Sequence, residues 1–194
     1  MLGLKLQTDP RWVNIVENDI HEILTDHAFC EQKAASTAIS FIVQFPELSE
    51  LVKDMAIIAQ EEMSHFEMVH NIILKRGMVM GRERKDQYVL DLYQFFPKGG
   101  SRSDQLVHRL LCAAMIEARS CERFRLLSES LSDKSLRKFY RELMISEAHH
   151  YSLFLKLARQ YGENVKKVNN KWENLLQFEG RLIKSLGKKE TIHG

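Results

Sequence analysis

Apolar residues recur three and four positions apart along most of this chain, the spacing that places them on one side of an α-helix. Asp9 and Pro10 are typical of a helix start, Pro46 separates the first helix from the second, and Gly77 ends the second. The final residues, 188–194, are expected to be frayed. The pattern predicts helices at about 10–45 with a bend near Thr25, 46–76, 103–131 and 133–162, and an amphipathic fifth at about 165–186.

The segment between the second and third helices, residues 77–102, is longer than the turns that join helices in a tight bundle. It contains a basic run and then a short apolar stretch from Tyr88 to Phe96. A connection of this length suits a crossover between two parallel helices. The predicted fold is therefore all-α: a ferritin-like four-helix bundle with a long crossover and an additional C-terminal helix. We expect a single domain over residues 1–194, with a core bundle at about 10–162.

Four glutamates and two histidines lie on the apolar faces of the predicted helices, where ionised side chains need compensation. They form the series Glu, Glu-x-x-His, Glu, Glu-x-x-His: Glu31, Glu62, His65, Glu117, Glu147 and His150. Residues three apart on a helix project from the same side, so each pair presents a carboxylate and an imidazole together. Four negative charges balance two divalent cations. In four-helix bundles this ligand set is typical of a carboxylate-bridged di-iron or di-manganese site.

The spacing of these six residues indicates an internal repeat. The lone glutamate precedes its partner by 31 residues in the first half and by 30 in the second. Equivalent residues of the two halves are offset by 86, 85 and 85 positions. Each half is therefore predicted to be a helical hairpin that contributes one lone glutamate and one Glu-x-x-His pair.

Other side chains near the six positions are expected to have different roles. Glu61 also precedes His65 on the helix, but the three-residue spacing of the second pair favours Glu62. His149 is about 100° around the helix from His150 and is expected to be exposed or to contact a ligand. The remaining nearby histidines are expected to be hydrogen-bonded residues of the core or surface: His27 and His70.

Composition limits the possible functions. The 194 residues are 44% hydrophobic and 28% charged, and the net charge of +2 is too small to argue for a nucleic-acid partner. No apolar run approaches the roughly 20 residues of a membrane span, and the first residues have no signal-peptide core, so we expect a cytoplasmic protein. The cysteines form no Cys-x-x-Cys pair, which excludes a zinc ribbon and a rubredoxin-type iron centre: Cys30, Cys112 and Cys121.

Six protein ligands shared between two metal ions leave coordination positions open, as in reactive rather than structural sites. Iron and manganese accept the same ligands, and iron is the expected metal. Two ferrous ions close together can deliver electrons in pairs to dioxygen, which suits an oxygenase or an oxidase. At this point the residues leave open a hydroxylase and a rubrerythrin- or ferritin-like protein for peroxide reduction or iron oxidation. They also leave the oligomeric state open.

Four stretches around the six positions resemble the bacterial tRNA 2-methylthio-N6-isopentenyladenosine hydroxylases: residues 26–38, 59–66, 115–124 and 146–151. The resemblance includes the length of the chain and the segment around Trp172. It implies a non-haem di-iron monooxygenase that hydroxylates the isopentenyl side chain of a modified adenosine 3′ of the tRNA anticodon. Dioxygen and an external electron donor, supplied by a reductase, would be required. The resemblance places the metal ligands at the same six positions.

Binding of tRNA would require basic side chains clustered on one face of the protein. We expect four residues of the crossover to flank the mouth of the pocket: Arg82, Arg84, Lys85 and Arg102. Further candidates lie on the third and fourth predicted helices: Arg119, Arg123, Arg137, Lys138 and Arg141. Ordinary solvated charge is at least as good an interpretation of any one of these residues.

Overall fold

The computed structural model describes residues 2–186 and 191–193, which contain seven helices and no strand. In chain order these are α1 (Trp12–Asn18), α2 (Ile20–Gln44), α3 (Ser49–Lys75), α4 (Gln87–Tyr93), α5 (Arg102–Ser130), α6 (Lys134–Tyr161) and α7 (Val165–Leu186). They fall into two compact units. Helices α2 and α3, with the segment that follows them to residue 85, form the hairpin unit; α1 and α4–α7 form the larger unit.

In the hairpin unit, α2 and α3 pack along each other because both bury an apolar stripe. This core includes Phe41 of α2 and Met55 of α3, both fully buried. The connection between the helices is short and contains Pro46, which lacks the N–H needed to continue α2. Gly77 follows the end of α3, and its φ of +70° is the left-handed conformation that favours glycine just after a helix.

After α3, residues 78–86 form no regular secondary structure and contact α2. The carbonyl oxygen of Val79 lies 2.7 Å from His21 Nε2, near the start of α2. Further along, Lys33 Nζ donates to the carbonyl oxygen of Arg84 at 3.2 Å. Between these points Gly81 N donates to Thr25 Oγ1 at 3.3 Å. The segment that contains the basic run 82–85 is therefore held against α2 by three contacts.

In the larger unit, α5 and α6 form a second hairpin, against which α4 and α7 pack. Asp133 caps α6 by accepting hydrogen bonds from the backbone N–H groups of Ser135 and Leu136. Ser101 caps α5 in the same way through the N–H of Asp104. No helix in the described part of the chain combines the length and the apolar character that crossing a membrane requires.

Buried charges tie α5 to α7 and to the N-terminal segment. Arg119 of α5 has no exposed surface and donates to Glu179 Oε1 of α7 at 2.6 and 2.8 Å. It also donates to Glu122 Oε2 at 2.9 Å and to the carbonyl oxygen of Leu6 at 2.9 Å. Arg123 is 2% exposed and lies 4.7 Å from the centre of the Trp12 ring. Arg119 and Arg123 therefore cannot contact tRNA phosphates, and that expectation was wrong for both.

Two other expectations need correction. The first predicted helix is interrupted at Asp19, whose side chain accepts from Glu22 N at 3.0 Å and caps α2. The expected fraying of the last residues does not hold for Ile192 and His193, which are buried. His193 Nδ1 lies 2.8 Å from Asp86 Oδ2, so a charged partner holds it in place. Residues 187–190 and 194 lie outside the described residues.

Candidate metal centre

Glu31 of α2 and Glu62 and His65 of α3 lie together in the hairpin unit; we call them the first triad. All three side chains are buried. His65 Nδ1 is 3.5 Å from Glu31 Oε2 and 3.5 Å from Glu62 Oε2. One ligand atom of each residue lies within 4.8 Å of the others, a spacing that allows one cation to contact all three. Carboxylate oxygens and an imidazole are ligands that iron and manganese accept.

The electrostatics of the first triad fit a cation. Burial, together with the neighbouring Glu62 carboxylate, raises the pKa of Glu31 to about 8. Burial lowers the pKa of His65, but its contacts with Glu31 and Glu62 outweigh this and raise that pKa to about 10. The carboxylates therefore attract positive charge, which protons or a divalent cation can supply. The residues present fit the metal that the sequence predicts.

Glu117 of α5 and Glu147 and His150 of α6 form the second triad, in the larger unit. All three are buried, and one ligand atom of each lies within 4.8 Å of the others. Glu147 and His150 share one side of α6 because they are three residues apart. Burial, followed by the nearby Glu147 carboxylate, raises the pKa of the Cys121 thiol to about 11. Its Sγ donates to the carbonyl oxygen of Met144 at 3.4 Å, so the thiol has a backbone partner within the larger unit.

Three residues near the triads were expected to have roles other than binding metal. Glu61 and His149 are exposed, unlike the adjacent triad residues Glu62 and His150. His70 is half-buried and stacks on Phe66, with ring centres 6.0 Å apart. Of the two adjacent glutamates, Glu61 and Glu62, it is therefore Glu62 that the structure places beside His65.

His27 is a residue that the ligand pattern alone did not connect to the site. It is fully buried in the hairpin unit, and its Nε2 lies 2.6 Å from Glu31 Oε1. As expected, it is a hydrogen-bonded core histidine. The sequence did contain a signal for this contact, because His27 and Glu31 are four residues apart and such residues are neighbours on a helix.

The four basic residues of the crossover that were predicted to contact tRNA are exposed: Arg82, Arg84, Lys85 and Arg102. Arg84 has a partner, since its Nη1 lies 3.2 Å from Glu22 Oε2 of α2. Within the same run Glu83 lies 3.0 Å from Lys33 Nζ. The run 82–85 is therefore partly neutralised in the hairpin unit. Arg102 belongs to the larger unit, where it is the first residue of α5.

Residues 2–194 match the model of a protein family described as tRNA-(MS[2]IO[6]A)-hydroxylase (MiaE). Two curated relatives are named tRNA 2-(methylsulfanyl)-N(6)-isopentenyladenosine(37) hydroxylase. The one from Pseudomonas putida is 38% identical, covering 80% of this chain and 75% of that protein. The one from Salmonella typhimurium is 28% identical, covering 71% of this chain and 67% of that protein.

A solved structure is also similar, that of "Protein 43 with aldehyde deformylating oxygenase activity" from Synechococcus. Its TM-score is 0.91 at 30% identity, covering 98% of this chain and 95% of that chain. This likeness confirms the predicted all-α, ferritin-like fold. The family match confirms the predicted resemblance and the predicted class of enzyme, a hydroxylase. The buried carboxylate and histidine clusters fit a metal centre in such a fold.

Proposed function

The chain belongs to the tRNA-(MS[2]IO[6]A)-hydroxylase family, and on this premise we propose that it hydroxylates the isopentenyl side chain of 2-methylthio-N6-isopentenyladenosine in tRNA. The modified nucleoside lies 3′ of the anticodon. The names of the two curated relatives support this substrate. The observation that carries the chemistry is the pair of buried triads, each with two carboxylates and one imidazole. The proposal places the protein in the cytoplasm with its substrate.

In this proposal the six triad residues, over a single domain, hold two iron ions: Glu31, Glu62, His65, Glu117, Glu147 and His150. Their carboxylates provide the negative charge that neutralises the ions, and their burial keeps bulk water away from the reaction. Two iron ions bound there would supply electrons in pairs for the reduction of dioxygen. A carbon–hydrogen bond of the substrate is broken and a carbon–oxygen bond forms, while the second oxygen atom leaves as water. An external donor, such as a reductase, provides two electrons, and two protons come from solvent.

We further propose that the exposed cations of the crossover contact tRNA phosphates: Arg82, Arg84, Lys85 and Arg102. Arg84 would then exchange its ion-pair partner Glu22, which lies 3.2 Å away, for a phosphate. The target base has to leave its stack to reach buried side chains. The single-stranded loop next to the anticodon allows this, because its bases are free to splay out.

The test of the proposed function is nucleoside analysis of tRNA from cells that lack this protein. We expect the hydroxylated nucleoside to disappear and its unhydroxylated precursor to accumulate. A plasmid that encodes the wild-type protein should restore the hydroxylated nucleoside, and one that encodes Glu117→Ala should not. An unchanged nucleoside profile in the deletion strain would contradict the proposed substrate.

The likeness to a protein with aldehyde deformylating oxygenase activity supplies a competing substrate class. The same purified, iron-loaded protein can be given either a long-chain aldehyde or tRNA that carries the precursor nucleoside, with dioxygen and a chemical reductant. We expect hydroxylated nucleoside from the tRNA and no shortened hydrocarbon from the aldehyde. The opposite result would assign this chain the activity in the neighbour's title.

A further inference from the structure

The two carboxylate oxygens of Glu31 face different partners. Oε1 lies 2.6 Å from His27 Nε2, and Oε2 lies 3.5 Å from His65 Nδ1 within the first triad. His27 is on the same helix, one turn before Glu31, and has no exposed surface. Both residues are therefore held by α2, and their contact does not depend on a mobile loop. The short distance is typical of a hydrogen bond to a carboxylate.

We propose that His27 is a positioning residue: it keeps Oε1 of Glu31 in a hydrogen bond, so that Glu31 binds metal through Oε2 alone. This inference rests on the proposed function, because it takes Glu31 as a metal ligand. A carboxylate that binds a cation carries no proton, so Nε2 of His27 has the hydrogen and donates it. Hydrogen bonds from outside the ligand set orient ligands and tune their affinity for metal.

The internal repeat sharpens this inference. The position four residues before Glu117, equivalent to His27, is occupied by Ala113. Alanine has no side-chain donor, so α5 cannot hold its glutamate in the way that α2 does. The two triads therefore differ in how their lone glutamate is oriented, although their ligand types are identical. We infer that the two metal positions are inequivalent and that the position served by Glu31 depends on His27.

The test uses the full-length protein and Co²⁺, whose visible absorption reports the geometry of its ligands without any need for turnover. His27→Leu retains packing volume but has no donor. We expect it to bind one of two Co²⁺ ions about 10 to 100 times more weakly than the wild type, with an altered visible spectrum for that ion. Phe41→Leu, a buried substitution elsewhere on α2, is the matched control. It should lower the melting temperature without changing either Co²⁺ affinity or spectrum.

A pair of amide variants separates positioning from packing and remains informative if His27→Leu does not fold. Glutamine has about the reach of histidine Nε2 and can donate to Glu31, whereas asparagine is one methylene shorter. We expect His27→Gln to keep the wild-type Co²⁺ spectrum and His27→Asn to lose it. Equal spectra and affinities for these two variants would overturn the proposal.

Glu31→Ala distinguishes failure of this inference from failure of the proposed metal centre. If Glu31→Ala loses one Co²⁺ while the His27 variants bind like the wild type, Glu31 is a ligand and His27 does not position it. If Glu31→Ala also binds two Co²⁺ ions with the wild-type spectrum, Glu31 is not a ligand and the six-residue centre itself is wrong. Only loss of Co²⁺ in Glu31→Ala together with the His27→Leu and His27→Asn defects supports both proposals.

Discussion

The first and second triads have the same ligand types at the same spacing, but their surroundings differ. In the hairpin unit the lone glutamate contacts a second buried histidine, His27, at 2.6 Å. In the larger unit the corresponding helix carries small residues near Glu117, among them Ala113 and the buried thiol of Cys121. An identical ligand pattern therefore does not imply identical sites. The coordination chemistry of the metal determines the ligand types, whereas the packing of each unit determines which residues surround them.

The two units also use charge differently. Helix α5 of the larger unit contains a fully buried arginine, Arg119, whose partners come from three parts of the chain: Leu6, Glu122 and Glu179. In the hairpin unit, the ion pair between Lys33 and Glu83 is on the surface, with side chains 35% and 57% exposed. Removing an ion pair from water is costly unless its hydrogen bonds are satisfied. We therefore expect the larger unit to depend on its charges for stability far more than the hairpin unit does.

The largest expected effect is the loss of a triad glutamate, and it tests whether the two triads matter equally. Glu31→Ala and Glu117→Ala should each lower tRNA hydroxylation by more than about 100-fold, since removal of residues that only orient metal ligands costs about 10 to 100-fold. Bound iron, measured by elemental analysis, should fall below two per chain in both variants. Glu61→Ala is the control, since Glu61 is exposed beside the first triad. Iron loss in only one of the two glutamate variants would show that the triads are not a matched pair.

The second-largest expected effect is on the free energy of unfolding, and it compares the removal of a buried charge with that of a surface charge. Arg119→Met leaves Glu179 buried without its guanidinium partner, so we expect about 3 to 5 kcal/mol of lost unfolding free energy. Lys33→Met removes an exposed pair and should cost less than about 1 kcal/mol. Urea unfolding followed by circular dichroism measures both. A cost for Arg119→Met as small as that for Lys33→Met would contradict the importance of buried charge in the larger unit.

Particular residues show what can be predicted from sequence. Helix ends at Gly77 and at Gly162 follow local signals, and each Glu-x-x-His pair follows from helical spacing, because both depend on nearby residues alone. The lone glutamates join these pairs only when each hairpin folds, and their matching distances of 31 and 30 residues were the signal for it. The buried state of Arg119 could not be predicted, because its partner Glu179 is 60 residues away and only folding brings them together. The break at Asp19 was missed because the apolar pattern continues through it and only the cap marks the new start. His193 was assigned to a frayed end because its partner, Asp86, is likewise distant in sequence.

The third prediction concerns the basic run along α2. Arg82→Glu, Arg84→Glu and Lys85→Glu together should weaken tRNA binding and flatten its dependence on salt. Each lost phosphate contact lowers the slope of log affinity against log salt by about 0.7 to 0.9, so three contacts lower it by about 2 to 3. Fluorescence anisotropy with labelled tRNA at several salt concentrations gives this slope.

A matched triple reversal controls for net charge by changing three exposed lysines of α7 in the larger unit: Lys166, Lys167 and Lys184. It alters the net charge by the same amount as the reversal on the basic run. We expect its salt slope to equal that of the wild type. Equal slopes for the two triple variants would remove the basic run from the tRNA site and leave only a general effect of charge.

The smallest expected effect is that of a surface pair in the larger unit, and it tests whether exposed charges there are as weak as those of the hairpin unit. Asp104 Oδ1 accepts from Lys171 Nζ at 2.9 Å, and this hydrogen bond, followed by one from Ser101, lowers the pKa of Asp104 to about 2. Because the folded-state pKa lies below the ordinary value of 3.8, the ionised carboxylate stabilises the fold. This stabilisation is complete above about pH 4 and is lost as the pH falls to about 2.

Asp104→Asn should therefore be less stable than the wild type at pH 7, but by no more than about 1 kcal/mol, because the pair is exposed to solvent. The difference between the two proteins in urea unfolding should stay constant down to about pH 4 and then shrink toward zero. Lys171→Met should show the same dependence, and combining it with Asp104→Asn should add little, since both substitutions remove one interaction. A stability difference that does not change between pH 5 and about pH 2 would mean that Asp104 acts through its hydrogen bond with Ser101, the cap of α5, and not through its charge.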